Sequence, residues 1–161
     1  MKTEEIHQTL TARLGDAIGA LHAETIDPWI EVQATAIVDV TRACKEDPAL
    51  RFDFLSSLCG VDAGDSMFVV YHLYSYALRH STVLKVKVPK DTPVTRSVTG
   101  VWRGADWFER EAYDLFGVRF EGHPDLRRIL LPDDWEGHPL RKEYVFPSHY
   151  GGIDNTRDYN I

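Results

Sequence analysis

The strongest constraint on this chain is a period-two pattern in its middle. Phe68, Val70, His72, Tyr74 and Tyr76 alternate with Val69, Tyr71, Leu73 and Ser75; further on, Leu84, Val86 and Val88 alternate with Lys85 and Lys87. Successive side chains of a strand point to opposite faces, so the pattern defines two strands. Arg79-His80-Ser81 between them predicts the turn of a hairpin. The second strand has one wet face, so helices cover the sheet mainly on one side. The expected fold is α+β, a two-layer sandwich built on a mixed or antiparallel sheet. Pro89 and Pro93 end the hairpin.

The flanks supply the helices. Ile6, Leu10, Leu14, Ala17, Ile18 and Leu21 recur at helical spacing and predict an amphipathic helix over residues 4–22, despite Gly15 and Gly19. Trp29 to Val32 reads as a short strand. Ile37, Val40, Thr41 and Cys44 set a second helix that stops before Pro48. Residues 51–61, with Phe52, Phe54 and Leu55, suggest a strand running into a turn at Asp62 to Asp65. Residues 106–117 predict a third helix. Asp106 with Glu109 three positions on is a capping signal, Gly117 offers a left-handed exit, and Phe108, Ala112, Leu115 and Phe116 form an apolar stripe. Two of its charges oppose the helix dipole, at ~0.3–1 kcal/mol each: Arg110 near the positive end and Asp114 near the negative one. They have a partner outside the helix, or they form a surface pair at i,i+4.

Length and charge exclude several functions. A chain of 161 residues makes one domain, with or without an arm, and needs neither disulfides nor a structural metal to fold. Its 18 basic and 25 acidic side chains leave a charge of −7, which disfavours binding to phosphate-rich partners. The richest basic stretch, Arg119 to Glu143, still has five basic residues against six acidic ones, so nucleic acid is not an expected partner. No run approaches 18 apolar residues, and the start MKTEEIHQ carries no signal or transit pattern; the chain is expected to be soluble and to stay inside. Cys44 and Cys59 are too few for an iron–sulfur cluster. Neither GxGxxG nor GxxxxGK[ST] occurs, so a glycine-loop nucleotide site has no support.

The composition changes after residue 118. Residues 1–118 are expected to form the globular domain and 119–161 an extended, proline-rich C-terminal arm, since Pro124, Pro132, Pro139 and Pro147 interrupt any long helix or central strand. The arm also holds Leu126, Ile129, Leu130, Leu131, Trp135, Leu140, Tyr144 and Phe146, too much apolar surface for an open linker. It must lie against its own globule or strap onto a partner. A short echo, EGHPDLRR at 121–128 and EGHPLRKE at 136–143, repeats a docking element: the glycine turns the chain and the proline extends His123 and His138. A competing reading makes Glu109, Asp114 and His123 an acid–base or metal set, but no recognised ligand spacing supports it.

The stretch EREAYDLFGVRFEGHPDLRRILLPDDWEGHPLRKEY, Glu109 to Tyr144, resembles the signature of the respiratory complex I 30 kDa subunit family, the C-type subunits of NADH:quinone oxidoreductase. The likeness extends upstream through VYHLYSY, LKVKVPKD and PVTRSVTGVWRGADWFERE, so it covers roughly residues 50–147. Asp106 stands where the family usually has Asn, and Glu143 replaces the acid of RKDY. The resemblance implies a structural subunit of the peripheral arm, without a cofactor or an active site of its own. It would pack on the 49 kDa-type quinone-site subunit, near the cluster-bearing small subunit. Iron–sulfur clusters, FMN, NADH and quinone would belong to partner subunits. The complex would sit on the cytoplasmic side of the bacterial inner membrane, this chain being the form unfused to the quinone-site subunit. Related chains serve membrane-bound hydrogenases and deazaflavin-linked dehydrogenases, which remain the alternative.

The expected partner interface is Glu109, Arg110, Asp114, His123, Leu126, Arg127, Arg128, Ile129, Leu130, Trp135, His138, Arg141 and Lys142. The basic residues Arg127, Arg128, Arg141 and Lys142 would pair with acidic groups of the neighbour, while the aliphatic and Trp side chains fill its grooves. Exposed pairs contribute ~0–1 kcal/mol and a buried large side chain ~1.5–3 kcal/mol, so the apolar anchors should dominate.

Overall fold

The computed structural model describes residues 1–155; the last six positions of the expected arm, 156–161, lie outside the described residues. The chain order is α1 (Thr3–Leu14), β1 (Ile18–His22), β2 (Trp29–Val32), α2 (Ile37–Glu46), β3 (Phe54–Asp62), β4 (Ser66–Ser75), β5 (His80–Pro89), β6 (Val94–Arg96), α3 (Ala105–Phe116), β7 (Arg119–Glu121), β8 (His149–Tyr150) and β9 (Ile153–Asp154). Five strands form one mixed sheet in the order β1-β2-β5-β4-β3, antiparallel except where β2 runs parallel to β5.

The alternation in β4 and β5 sorts the sheet into a covered and an open face. Met67, Val69, Tyr71 and Leu73 lie opposite Val88, Val86, Leu84 and Thr82, and all eight are buried. Over them sit Ile6 and Leu10 of α1, Ile37, Val40 and Cys44 of α2, and Ala105 and Ala112 of α3, in one continuous core. On the other face Phe68 is opposite Lys87 and Val70 opposite Lys85, and among the described residues none of these four belongs to the core that the helices cover. This is the α+β sandwich with helices on one face.

Three local expectations change. The helix predicted over 4–22 stops at Leu14, where Gly15 takes φ +54° and a 3-10 turn reverses the chain. Ile18–His22 then runs as the sheet's edge strand against β2. A register shift between Ile18 and Leu21 turns both toward the covered face, opposite Val32 and Ile30, so a bulge imitates helical spacing. The hairpin reverses over Tyr76–Arg79, with Arg79 at φ +53°, and His80 is already the first residue of β5, its ring bonded to the Leu50 carbonyl. At α3, Gly104 is the N-cap and no side chain caps the turn. Glu109 cannot close a capping box with Asp106, because its carboxylate turns inward to the amide of Val98 at 2.7 Å.

Two strand pairs were not read from the sequence. The three-residue strands β6 and β7 pair in parallel, and Phe120 of β7 is only 2 % exposed, so the chain stays in the globule past Val118. The two-residue strands β8 and β9 close around Gly151 and Gly152, both at positive φ.

Candidate docking site on the third helix and the arm

The arm lies across α3 and satisfies the groups the helix leaves unpaired. The last carbonyls of a helix have no intrahelical donors, and its C-terminus attracts cations. Here the Asp114 carbonyl receives Arg128 Nη1 at 3.2 Å and the His138 ring at 2.9 Å, the Leu115 carbonyl receives the Leu140 amide at 3.1 Å, and the Phe116 carbonyl receives Arg141 Nε at 2.7 Å. Arg128 goes further, donating to the carbonyls of Trp135 and Gly137 at 2.8 and 3.0 Å. One guanidinium thus ties α3 to two places along the arm.

Asp114 is the centre of this clamp. Fully buried, it accepts Arg128 Nη1 on Oδ1 at 2.7 Å, and the amides of Ile129, Leu130 and Leu131 on Oδ2 at 3.0, 2.8 and 2.9 Å. Burial alone raises its carboxyl, but the Leu131 amide, the Arg128 guanidinium and the other two amides outweigh it and hold Asp114 below the usual carboxylate range. Four residues away, Arg110 is 7 % exposed and donates to the carbonyls of Arg127 and Arg128 at 3.3 and 3.1 Å. The two charges that oppose the helix dipole therefore do have partners outside the helix, and both belong to the chain's own arm.

The GHP echo now has a geometry. Gly122 and Gly137 take φ +84° and +78° and aim the two histidines at opposite ends of α3: His123 lies 3.3 Å from the Asp106 carbonyl and 3.5 Å from its carboxylate, and His138 caps Asp114. Burial, together with Arg141 and Arg128 nearby, lowers the His138 pKa against the pull of the Asp114 carbonyl, so it serves as a neutral hydrogen-bonding ring. At Gly117, the left-handed exit from α3 at φ +75°, the absent Cβ leaves room for the His138 ring and the Arg141 guanidinium. Leu126 rests on the core from the arm.

The structure thus divides the expected interface residues. Glu109, Arg110, Asp114, His123, Arg128, His138 and Arg141 act within the chain. Ile129 lends its amide to Asp114 and is half-buried, and Trp135 is half-buried between the rings of Tyr150 and Phe146, at 4.8 and 6.5 Å. Arg127 is exposed and paired with Asp125 at 2.8 Å, and Lys142 is exposed while its amide binds Asp62 at 2.9 Å. Large apolar side chains remain outside: Leu130 at 62 %, Leu140 at 51 %, Val145 at 84 % and Phe146 at 63 % exposure. Sequence reasoning gave Asp62 only a place at a turn and missed its role. Its carboxylate takes the Lys142 and Gly64 amides and the Lys90 ammonium, which overcome burial and lower its pKa to about 2. Lys90 also reaches Glu143 at 2.6 Å, a second rivet between sheet and arm. An aspartate in a Gly/Asp turn carries no sign of a partner 80 positions away.

The acid–base alternative finds no constellation. Glu109 faces the Val98 amide, Asp114 faces residues 128–131 and His123 faces Asp106; no hydrogen bond or ion pair joins any two of the three. Among the described residues, no three His, Cys, Asp or Glu side chains are grouped to hold a metal ion.

A one-faced α+β sandwich whose arm is riveted over its last helix matches one family of respiratory subunits. The chain belongs to the 30 kDa subunit family of respiratory-chain NADH dehydrogenase, complex I, whose family model matches residues 30–150. It is 49 % identical over 139 residues to the C-type subunit of NADH-quinone oxidoreductase from Roseiflexus sp. (strain RS-1), covering 84 % of this chain and 80 % of that one. Among solved structures, a chain of the membrane-bound sulfane sulfur reductase, an archaeal respiratory membrane complex, superposes with a TM-score of 0.74 at 26 % identity, covering 90 % of this chain and 86 % of that chain. The trypsin-resistant fragment (1–134) of Nqo5 superposes with a TM-score of 0.58 at 28 % identity, covering 78 % of this chain and 100 % of the fragment.

Proposed function

We propose that this subunit of NADH-quinone oxidoreductase is a structural part of the peripheral arm of the proton-translocating complex, anchoring the 49 kDa-type quinone-site subunit beside the cluster-bearing small subunit. It carries no cofactor; the iron–sulfur clusters, FMN, NADH and quinone are held by its partners. It supports electron transfer by position, from the cytoplasmic side of the bacterial inner membrane. No helix among the described residues is long and apolar enough to cross a membrane. The two thiols suit this reading: Cys44 is fully buried and burial pushes its pKa up to about 12, and burial also raises Cys59, so neither favours a thiolate ligand.

One observation carries the proposal. The arm spends its half-buried cations on α3 and still leaves Leu130, Leu140, Val145 and Phe146 in water. A segment held this firmly with its apolar side chains outward is prepared to be covered. Glu109, Arg110, Asp114, His123, Arg128, His138 and Arg141 then act by shaping the docking surface, while the exposed apolar residues, with Arg127 and Lys142 at the rim, meet the partner.

Membership of a related membrane-bound redox complex, including hydrogenases and deazaflavin-linked dehydrogenases, is the second reading. The fold likeness to the sulfane sulfur reductase chain favours it, and the 49 % identity to the Roseiflexus protein ranks it second. Affinity purification of the tagged chain from its own cells decides. The expected result is co-elution with the quinone-site and cluster-bearing subunits in equal amounts; elution alone, or with hydrogenase subunits, would overturn the assignment.

A further inference from the structure

The chemistry of the arm's outer face indicates what it meets, on the reading that the arm docks a neighbouring subunit. We infer that residues 133–150 receive a basic segment of that neighbour, one bearing Arg or Lys. Trp135 stands 4.8 Å from the Tyr150 ring and 6.5 Å from Phe146, and Phe146 is 5.1 Å from Tyr144, so four rings form one platform. Its rim is acidic: Asp133, Asp134 and Glu136 flank Trp135 and are all exposed. Asp134 is fixed at the platform's edge by the Tyr150 hydroxyl, which donates to it at 2.7 Å.

Among the described residues, the chain's own cations are bonded to other groups. Arg128 and Arg141 point into the α3 clamp, Lys90 bridges Asp62 and Glu143, and Arg127 holds Asp125. Among the described residues Asp133 feels Arg127 only through space, without a direct bond, and Glu136 stands exposed at the other side of Trp135. Aromatic faces and carboxylates together recognise guanidinium and ammonium groups, through cation–π contact and charge-assisted pairs. The exposed Val145 and Phe146 add an apolar anchor beside the charged rim. A nucleic acid or an anionic lipid surface would meet charge of its own sign.

The test uses the assembled complex, purified through a tag on another subunit, with the fraction retaining this chain measured across NaCl washes. Asp133→Lys with Glu136→Lys reverses two exposed charges that make no direct bond, so its thermal unfolding should stay close to that of the natural chain. The expected result is about tenfold lower retention for this double variant at low salt, with a weaker salt dependence than the natural chain shows. Equal retention at every salt concentration would overturn the basic-partner inference. Val145→Asp with Phe146→Asp tests the underlying docking: loss of this variant while the charge-reversed chain stays bound leaves docking standing and removes only the basic partner. Full retention of both variants removes both claims.

Discussion

Two acidic residues five positions apart on α3 behave oppositely. Asp114 is stabilised as a carboxylate by one guanidinium and three amides, so its folded pKa is lowered. Its stabilisation is present above the ordinary carboxylate pKa and is lost as pH falls through the folded value. Asp114→Asn leaves the half-buried Arg128 without its counter-charge and removes one acceptor oxygen; a loss of about 2–3 kcal/mol of stability is expected from chemical denaturation. Glu109 is fully buried, accepts the Val98 amide on Oε1 and leaves Oε2 without a partner; the Tyr71 hydroxyl nearby is also unpaired. Burial raises its pKa from 4.5 to about 7, against the lowering influence of the nearby Ser97 hydroxyl and the Val98 amide. Asp106 on the same helix adds to the rise, and Tyr71 faces Glu109 from β4. The protonated acid favours folding, so this contribution is complete below pH 4.5 and is lost as pH rises through 7. Glu109→Gln should flatten that fall, gaining up to about 3 kcal/mol at pH 8 over the natural chain and little at pH 4. Parallel pH–stability curves for the two chains would contradict the assignment.

Among the elements, α3 depends most on what surrounds it. It ends where the arm begins to cap it, and Gly117 serves both functions. A Cβ there would lie 2.6 Å from the His138 ring and 2.8 Å from Arg141, on a backbone at φ +75° that L-residues avoid. Gly117→Ala should cost at least ~1–2 kcal/mol and expose the arm to chymotrypsin at Trp135 and Tyr144. Gly104→Ala at the other end of the helix is the control: φ is −63° and open space surrounds the site, so no loss is expected. Equal stability of the two variants would mean that the arm does not press on the helix exit.

Across the whole molecule, the readable parts were those written in local periodicity. The alternation of β4 and β5 and the apolar faces of α2 and α3 each bury one side of a regular element, so sequence and structure agree there. The bulge in β1 defeated that logic by placing Ile18 and Leu21 three apart on one face. Strands of two or three residues, such as β6 to β9, are too short to show any period. The clamp was half legible. Arg110 and Asp114 stood out as charges set against the helix dipole, but no spacing tells that the amides of 129–131 would close around one carboxylate. For the same reason no spacing tells that Arg128 and Arg141, expected to meet a partner, also bond the end of the third helix within the chain.

The most direct test is hydrogen exchange of the Ile129, Leu130 and Leu131 amides in the full chain free of other subunits. All three donate to the buried Asp114 carboxylate, so they should exchange orders of magnitude more slowly than the exposed amides of Asp133 and Val145, and Asp114→Asn should erase that protection. Exchange at the same fast rate in the free chain, with protection arising only once other subunits bind, would mean that the arm is shaped by its partner and not by the third helix.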